Sequence, residues 1–186
     1  MIDSYRHKGL RKRLIDSVKA KGIENEDVLS AMLKVPRHLF MAKGFEERAY
    51  QDNAFPIAAD QTISQPYTVA FQTSLLDIKS GDKVLEVGTG SGYQAAVLLE
   101  MGVKLYTIER HQVLFKSSQL LLKKLGYYPY SYYGDGYKGL PTYAPFDKIL
   151  ITAGAPAIPE SLLSQLKIGG IMVVPTGPRH TQDMLK

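Results

Sequence analysis

Apolar positions in the first third of the chain recur at helical spacing. Between residues 5 and 21, Leu10, Leu14 and Val18 form one stripe, and Gly22 stands where a helix commonly ends. Residues 25 to 34 carry Val28, Leu29, Met32 and Leu33 on one face and stop before Pro36. No period is visible from Pro36 to Gln65, which predicts loops with short turns. A third helix is expected from Pro66, with Tyr67, Ala70, Phe71, Ser74, Leu75 and Ile78 recurring at helical spacing.

From Gly81 onward short apolar runs alternate with helical stretches. "KVLEVG" (83–88), "VKLYTIE" (103–109), "YPYSYYG" (128–134), "DKILIT" (147–152) and "GIMVVP" (170–175) read as five strands. "YQAAVLLEMG", residues 111 to 125 and "PESLLSQL" (159–166) read as the helices between them. This alternation predicts an α/β, Rossmann-like fold: a mostly parallel central sheet with right-handed crossovers and helices on both faces. Ligands of such sheets bind beyond the carboxyl ends of the strands, where the strand order reverses. The 186 residues suffice for one core and contain no linker, so a single domain is expected. Residues 1–80 form its N-terminal helical extension and 81–186 its ligand-binding α/β core.

Composition narrows the function classes. Hydrophobic residues make up 45% and charged residues 22%, as in a soluble globular protein, and no apolar run reaches the roughly 18 residues of a membrane span. The basic N-terminus lacks the apolar core and cleavage site of a secretory signal. Cysteine is absent, which removes disulfides, thiolate nucleophiles and cysteine metal sites, and a cytoplasmic location is expected. His7, His38, His111 and His180 show no ligand spacing, so no metal is expected. The net charge of +5 raises nucleic acid as a partner. Much of the excess is Arg6, Lys8, Arg11, Lys12 and Arg13, which fall mostly opposite the apolar stripe of their helix with only Tyr5 among them. A solvated helix face is the expectation, with no nucleic-acid partner.

Candidate chemistry lies at the first strand-to-helix turn. "LEVGTGSGYQ" places Gly88, Gly90 and Gly92 there, with Glu86 two residues ahead and Thr89 between glycines. The dinucleotide pattern G-x-G-x-x-G would need glycine at 93, which is Tyr93. An acid beside the loop argues against phosphate and for a ligand with an amino or sulfonium group. Glu109, about twenty residues on at the end of the next strand, suits two ribose hydroxyls. Asp135 in "GDG" could meet the exocyclic amine of an adenine. A tight turn, a solvated strand-end acid and a glycine-flanked turn are the plain alternatives. Ser64, in "TISQP", is open to three readings: nucleophile, cap of the following helix, or a hydroxyl aimed at a ligand. A nucleophile needs a base and an orienting acid, and the nearest histidine in sequence, His38, has no acid in "VPRHLFM".

Taken together, "LEVGTGSGYQ", Glu109, "GDG", "TISQP", "VPRHLF" and "AYQDNAFPI" resemble the protein-L-isoaspartate O-methyltransferase family, from about Val35 to Gly177. The resemblance implies a class I methyltransferase that uses S-adenosyl-L-methionine, releases S-adenosyl-L-homocysteine and methylates the α-carboxylate of isoaspartyl-containing proteins and peptides. It makes Ser64 the active-site serine. It assigns Glu86, Gly88, Thr89, Gly90 and Gly92 to the methionine portion, Glu109 to the ribose, Asp135 with Gly136 to the adenine, and Arg110 to the cofactor site. Thr62, Ile63, Thr152 and Ala153 would line the cofactor pocket, and Asp52, Asn53, Gln65 and Pro66 would meet the substrate. Neither a membrane nor an obligate protein partner is implied. In the family the chain continues past the fifth strand into a hairpin. Here only "TGPRHTQDMLK" follows Pro175, so that hairpin is expected to be largely absent and the sheet edge open. Two alternatives stay open: another class I methyltransferase acting on RNA or a small molecule, and a cofactor-binding module without turnover. "TAGAP" lacks the Asn/Asp-Pro-Pro-aromatic motif of many nucleic-acid amine methylases.

Overall fold

The chain starts its first helix with a side-chain cap: Ser4 Oγ accepts the His7 N–H at 3.3 Å, and α1 (Tyr5–Ala20) runs to Gly22 at φ 97°. The structure, a computed structural model, describes residues 3–42, 44–154, 157–177 and 183–186. Asn25 Oδ1 caps α2 (Glu26–Lys34) through Val28 N–H at 3.1 Å. The buried face of α2 is Val28, Leu29, Ala31 and Met32, whereas Leu33, expected inside, is 42% exposed. Arg11 departs from the solvated basic face in the other direction. It is buried, with its guanidinium on both oxygens of Asp3, on the Leu33 carbonyl and on the Tyr50 hydroxyl.

Residues 36–65 hold two 3₁₀ turns, Arg37–Phe40 and Glu46–Arg48, and a two-residue antiparallel ladder between β1 (Phe55–Pro56) and β2 (Thr62–Ile63). A two-residue strand has no period to read. Next comes α3 (Pro66–Leu75), which turns a different face inward from the one its apolar spacing predicts. Val69, Ala70, Gln72 and Thr73 are buried, while Phe71 lies at the surface. The reason is a polar cluster in the core. Gln72 Nε2 donates to Gln94 Oε1 (2.8 Å), Gln94 Nε2 to Thr73 Oγ1 (3.0 Å), and Thr73 Oγ1 to the Val69 carbonyl (2.6 Å). Buried amides are tolerated when they satisfy one another in this way.

The start of α3 is capped from a distance. Its N-cap residue, Gln65, makes no side-chain cap bond, and the Ser64 hydroxyl bonds no backbone N–H of the helix among the described residues. Instead Asp52 Oδ1 accepts the Tyr67 N–H at 2.8 Å, and Asp52 Oδ2 accepts from Gln65 Nε2 and from Lys21 Nζ at 2.5 Å. Burial works against the Asp52 charge, but these donors outweigh it and hold the carboxyl below its usual value.

The main sheet follows in alternation: β3 (Lys83–Val87), α4 (Tyr93–Glu100), β4 (Lys104–Glu109), α5 (Gln112–Lys124), β5 (Tyr130–Tyr133), β6 (Phe146–Ile151), α6 (Glu160–Leu163), β7 (Leu166–Thr176) and β8 (Asp183–Leu185). The strand order is β5-β4-β3-β6-β7-β8, all parallel except β8. The helix expected over 159–166 is only four residues long. Leu166 pairs with Phe146, so β7 begins there and reaches eleven residues. The edge beyond β7, expected open, carries β8, with Val174 opposite Leu185 and Thr176 opposite Asp183. A three-residue strand therefore stands where the hairpin was expected to be largely absent.

One apolar cluster joins Leu14, Val18, Met32 and Val69 of the N-terminal helices to Val84, Leu98, Leu105 and Leu150 of the sheet and α4. The opposite face, built on Leu85, Ile108 and Ile149, lies under Leu162 of α6 and partly buried Leu140 and Tyr143. Helices thus cover both faces, unequally. Among the described residues no helix is long and apolar enough to cross a membrane.

The remote cap is testable. Asp52→Ala is expected to lower the unfolding free energy by about 1–2 kcal/mol, and Asp52→Asn by less, in urea unfolding. Equal stability of wild type and Asp52→Ala would mean the cap contributes nothing.

Candidate active site

Strands β3 and β6 are neighbours whose continuations turn away in opposite directions, and their ends are tied together. Thr152 N–H donates to the Val87 carbonyl at 3.0 Å, and Thr152 Oγ1 donates to the carbonyls of Val87 (3.0 Å) and Gly88 (2.6 Å). Gly88 has φ +100°, and a Cβ there would fall 2.5 Å from Thr152 Oγ1. Only glycine fits both the conformation and the space. Gly136 is constrained by space alone, since a Cβ would lie 2.4 Å from Val87 Cγ1.

Beyond these strand ends opens a cleft of about 490 Å³. Thr62, Ile63 and Ser64 line one side of it, and Gly88, Thr89 and Gly90 another. Glu109 ends β4 and Arg110 follows it, Asp135 and Gly136 follow β5, and Thr152 and Ala153 follow β6. Glu109 is nearly buried, with Oε2 accepting Gly90 N–H (2.9 Å) and Oε1 accepting His111 N–H (2.8 Å). Asp135 is exposed and caps the next turn through Tyr137 N–H at 3.0 Å.

Six expected site residues do not line the cleft. Gly92 sits behind it at the N-cap of α4, at φ 86°. Asp52 and Gln65 are bonded to each other and to α3, Pro66 is buried in the first turn of α3, and Asn53 is exposed. Glu86 is the sixth. It pairs with Thr107 across the β3–β4 ladder, which turns its carboxyl into the sheet face rather than the cleft. Thr107 Oγ1 donates to Glu86 Oε2 at 2.6 Å and lies 2.6 Å from Thr89 Oγ1, so Glu86 reaches the cleft only through two hydroxyls. Its Oε1 has no hydrogen-bond partner among the described residues. Burial, aided by the nearby Glu109, pushes the Glu86 carboxyl up to about 8, against the Thr107 bond that favours its charge.

Several lining residues escaped the sequence reading: Tyr93, Gln94, His111, Leu114 and Tyr137. Most stand in the first turn after a predicted strand, so the rule that placed the cleft could have nominated them. Ser64 is half-buried, and its hydroxyl makes no hydrogen bond among the described residues. His38 is no base for it: His38 is fully buried, with Nδ1 2.7 Å from the Tyr50 hydroxyl and its ring stacked on His7 at 3.8 Å. With Asp3, these two histidines place ligand-type atoms within 4.8 Å of one another, a cluster that sequence spacing could not reveal. Arg11 already holds both Asp3 oxygens there. His111 lines the cleft, and His180 lies outside the described residues.

The family model described as Protein-L-isoaspartate(D-aspartate) O-methyltransferase (PCMT) matches residues 9–186. The chain belongs to this family. A protein-L-isoaspartate O-methyltransferase of Christiangramia forsetii is 64% identical over 95% of the chain and 84% of its own length. One from Cytophaga hutchinsonii is 58% identical over the whole chain and 84% of its own length. Among solved structures, one described as a protein-L-isoaspartate O-methyltransferase from Plasmodium falciparum, in complex with S-adenosyl-L-homocysteine, superposes with a TM-score of 0.79. It is 25% identical and covers 94% of this chain and 87% of its own. The architecture is accordingly the Rossmann-like fold of class I methyltransferases.

Within this family site, the raised Glu86 predicts a specific pH response. Between 4.5 and about 8 the folded chain keeps a proton on Glu86 that the unfolded chain releases. The contribution of this group to stability therefore falls as pH rises through that window, by on the order of 4 kcal/mol. Glu86→Gln is expected to remove that decline. Unfolding curves at pH 5 and pH 8 read it as a wild-type-minus-variant difference. A difference independent of pH would show that the carboxyl titrates normally.

Proposed function

We propose that the chain is a protein-repair methyltransferase, transferring the methyl of S-adenosyl-L-methionine to the α-carboxylate of L-isoaspartyl residues in damaged proteins and peptides. Beyond family membership, one observation carries this reading: Thr62–Ser64 of "TISQP" and Gly88–Gly90 of the glycine loop, distant in sequence, line the same cleft.

The residues present fit the cofactor. The cleft volume is that of a small-molecule site. At Gly88 and Gly136 there is no room for a Cβ, so the backbone itself forms the wall. Glu109 spends one acceptor position of each oxygen on N–H groups, which leaves further lone pairs for two ribose hydroxyls. In this reading Asp135 and Gly136 hold the adenine, and Gly88, Thr89 and Gly90 hold the methionine portion. Glu86 and Gly92 act on it from behind the loop. Thr62, Ile63, Arg110, Thr152 and Ala153 close the pocket. When bound, S-adenosyl-L-methionine supplies an electrophilic methyl group on a sulfonium sulfur.

The residues around the substrate then have a limited task. A peptide α-carboxylate ionises near 3.3–3.7 in the reference state, roughly three units below neutral pH, so no general base is required. Ser64, whose hydroxyl is uncommitted, donates to that carboxylate and aims it. The cleft walls exclude water that would otherwise solvate the nucleophile. Asp52 and Gln65 hold the Ser64 segment in place rather than meeting the peptide. A cytoplasmic setting belongs to the same proposal, and the cysteine-free sequence fits a reducing compartment. Nucleic acid, membrane and an obligate protein partner have no part in it.

Radiolabelled S-adenosyl-L-methionine, offered with an isoaspartyl peptide and its normal-aspartyl twin, tests the reading. Label is expected on the isoaspartyl peptide alone, and equal labelling of both would sink it. Ser64→Ala is expected to reduce kcat by about 10- to 100-fold, the worth of one hydrogen bond to a charged group. Its affinity for S-adenosyl-L-homocysteine should stay nearly unchanged.

For Glu109→Ala the expectation reverses. Calorimetric affinity for S-adenosyl-L-homocysteine should fall by about tenfold or more. An unchanged dissociation constant would reject the ribose role.

A further inference from the structure

Arg37 lies beneath the Ser64 segment, fully buried. Its Nε donates to the Ala49 carbonyl (3.0 Å), and its Nη2 donates to the carbonyls of Asn53 (3.3 Å) and Ser64 (2.9 Å). The guanidinium carbon stands 4.8 Å from the ring centre of Tyr93. Tyr93 is the first residue of α4, directly after Gly92, and lines the cleft. One side chain thus touches the serine's own peptide unit, two other points in residues 36–65 and the helix that follows the glycine loop.

This is a costly way to fill a core. Among the described residues no carboxylate forms an ion pair with Arg37, so carbonyl dipoles and a π-face carry its compensation. Burial pushes the guanidinium below its ordinary pKa, with Tyr93, Asp52 and Tyr50 opposing. A methionine of similar length would avoid that cost but would orient nothing. A rigid, planar fork that binds carbonyls at its edge and stacks on a ring with its face orients several groups at once.

Building on the methyl-transfer reading, we propose that Arg37 is a positioning residue: it holds the Ser64 carbonyl, and thereby aims the Ser64 hydroxyl toward the substrate carboxylate relative to the glycine loop. Lysine cannot replace it, because an ammonium has no edge-and-face geometry. The role belongs to the turnover step rather than to cofactor binding, since Arg37 itself does not line the cleft.

A double-mutant cycle tests this. Arg37→Lys is expected to lower kcat on an isoaspartyl peptide by about tenfold or more, with KM changed less than about threefold. In a Ser64→Ala background the same change should cost less than about threefold, because the hydroxyl it aims is gone. Equal losses in both backgrounds would overturn the proposal and leave Arg37 a packing residue. A second readout needs no turnover. Amide hydrogen exchange in residues 61–66 should speed up by about tenfold in Arg37→Lys while β4 keeps its protection. Unchanged exchange would also overturn the proposal. If Arg37→Lys does not fold, Tyr93→Leu enters the same cycle and exchange experiment. It removes the ring that holds the guanidinium and none of the carbonyl bonds, and the same non-additivity is required of it. Wild-type turnover decides the methyl-transfer reading separately, since exchange in 61–66 is measured whether or not methyl is transferred.

Discussion

The contact of the Thr152 hydroxyl with the carbonyls of Val87 and Gly88 is the constraint on which the cleft depends. It draws the ends of β3 and β6 together at the point where the strand order reverses. The contact exists only because residue 88 has no side chain. From there the backbone is tied strand to strand. Gly90 N–H reaches the Glu109 carboxylate, Gly134 N–H reaches the Glu109 carbonyl, and Gly136 lies against Val87. The ends of β3, β4, β5 and β6 are thereby locked together. The shape of the cleft is fixed where backbone groups of the glycine turns meet a few short side-chain contacts, Thr152 Oγ1 and the Glu109 carboxylate above all.

The N-terminal helices attach to this frame in a different manner. Apolar contact of the N-terminal helices with α4 and the sheet is non-directional and would tolerate sliding. The Gln72–Gln94–Thr73 chain does not, because a shift of one turn would leave buried amides without partners. The Asp52 cap sets where α3 begins, and Arg37 sets the carbonyl just before it. Polar groups in the core therefore specify the register of the Ser64 strip against the glycine loop, while the apolar cluster around Met32 and Leu98 supplies the bulk of the burial.

That division explains what could be read from the residue order. The strands from β3 to β6 and the glycine loop were visible because their signals are local: short apolar runs, glycine at fixed offsets, an acid at the next strand end. The inward face of α3 was not, because Gln72 and Thr73 are buried on account of Gln94, more than twenty positions away. The same holds for Asp52, a cap delivered from fifteen residues upstream. It holds again for Arg11, which looks like part of a charged surface until Asp3 and Tyr50 close over it. Of the residues that line the cleft, Glu109 and Asp135 were nominated by their place at strand ends and Ser64 by the resemblance of "TISQP". Arg37 was overlooked, because a buried cation without an acid partner leaves no spacing to notice.

The two acids near the loop show how structure can keep a conclusion while replacing its reason. Glu86 beside the glycines argued against phosphate as a repelling charge. With its carboxyl pushed up to about 8, Glu86 is largely neutral at pH 7 and repels little. The loop glycines offer a phosphate little on other grounds: a cradle needs free backbone N–H groups, and all three glycines have spent theirs. Gly88 donates to the Ile108 carbonyl, Gly90 to Glu109 and Gly92 to the Thr89 carbonyl. What the loop presents beside the cleft is the Glu109 carboxylate, with a second acid held neutral behind Thr89. A positive group entering the cleft would favour ionisation of that second acid, opposing the effect of Glu109. In the proposed reading, a ligand cationic near the loop with hydroxyls near Glu109 suits this arrangement, which is the charge pattern of a sulfonium nucleoside.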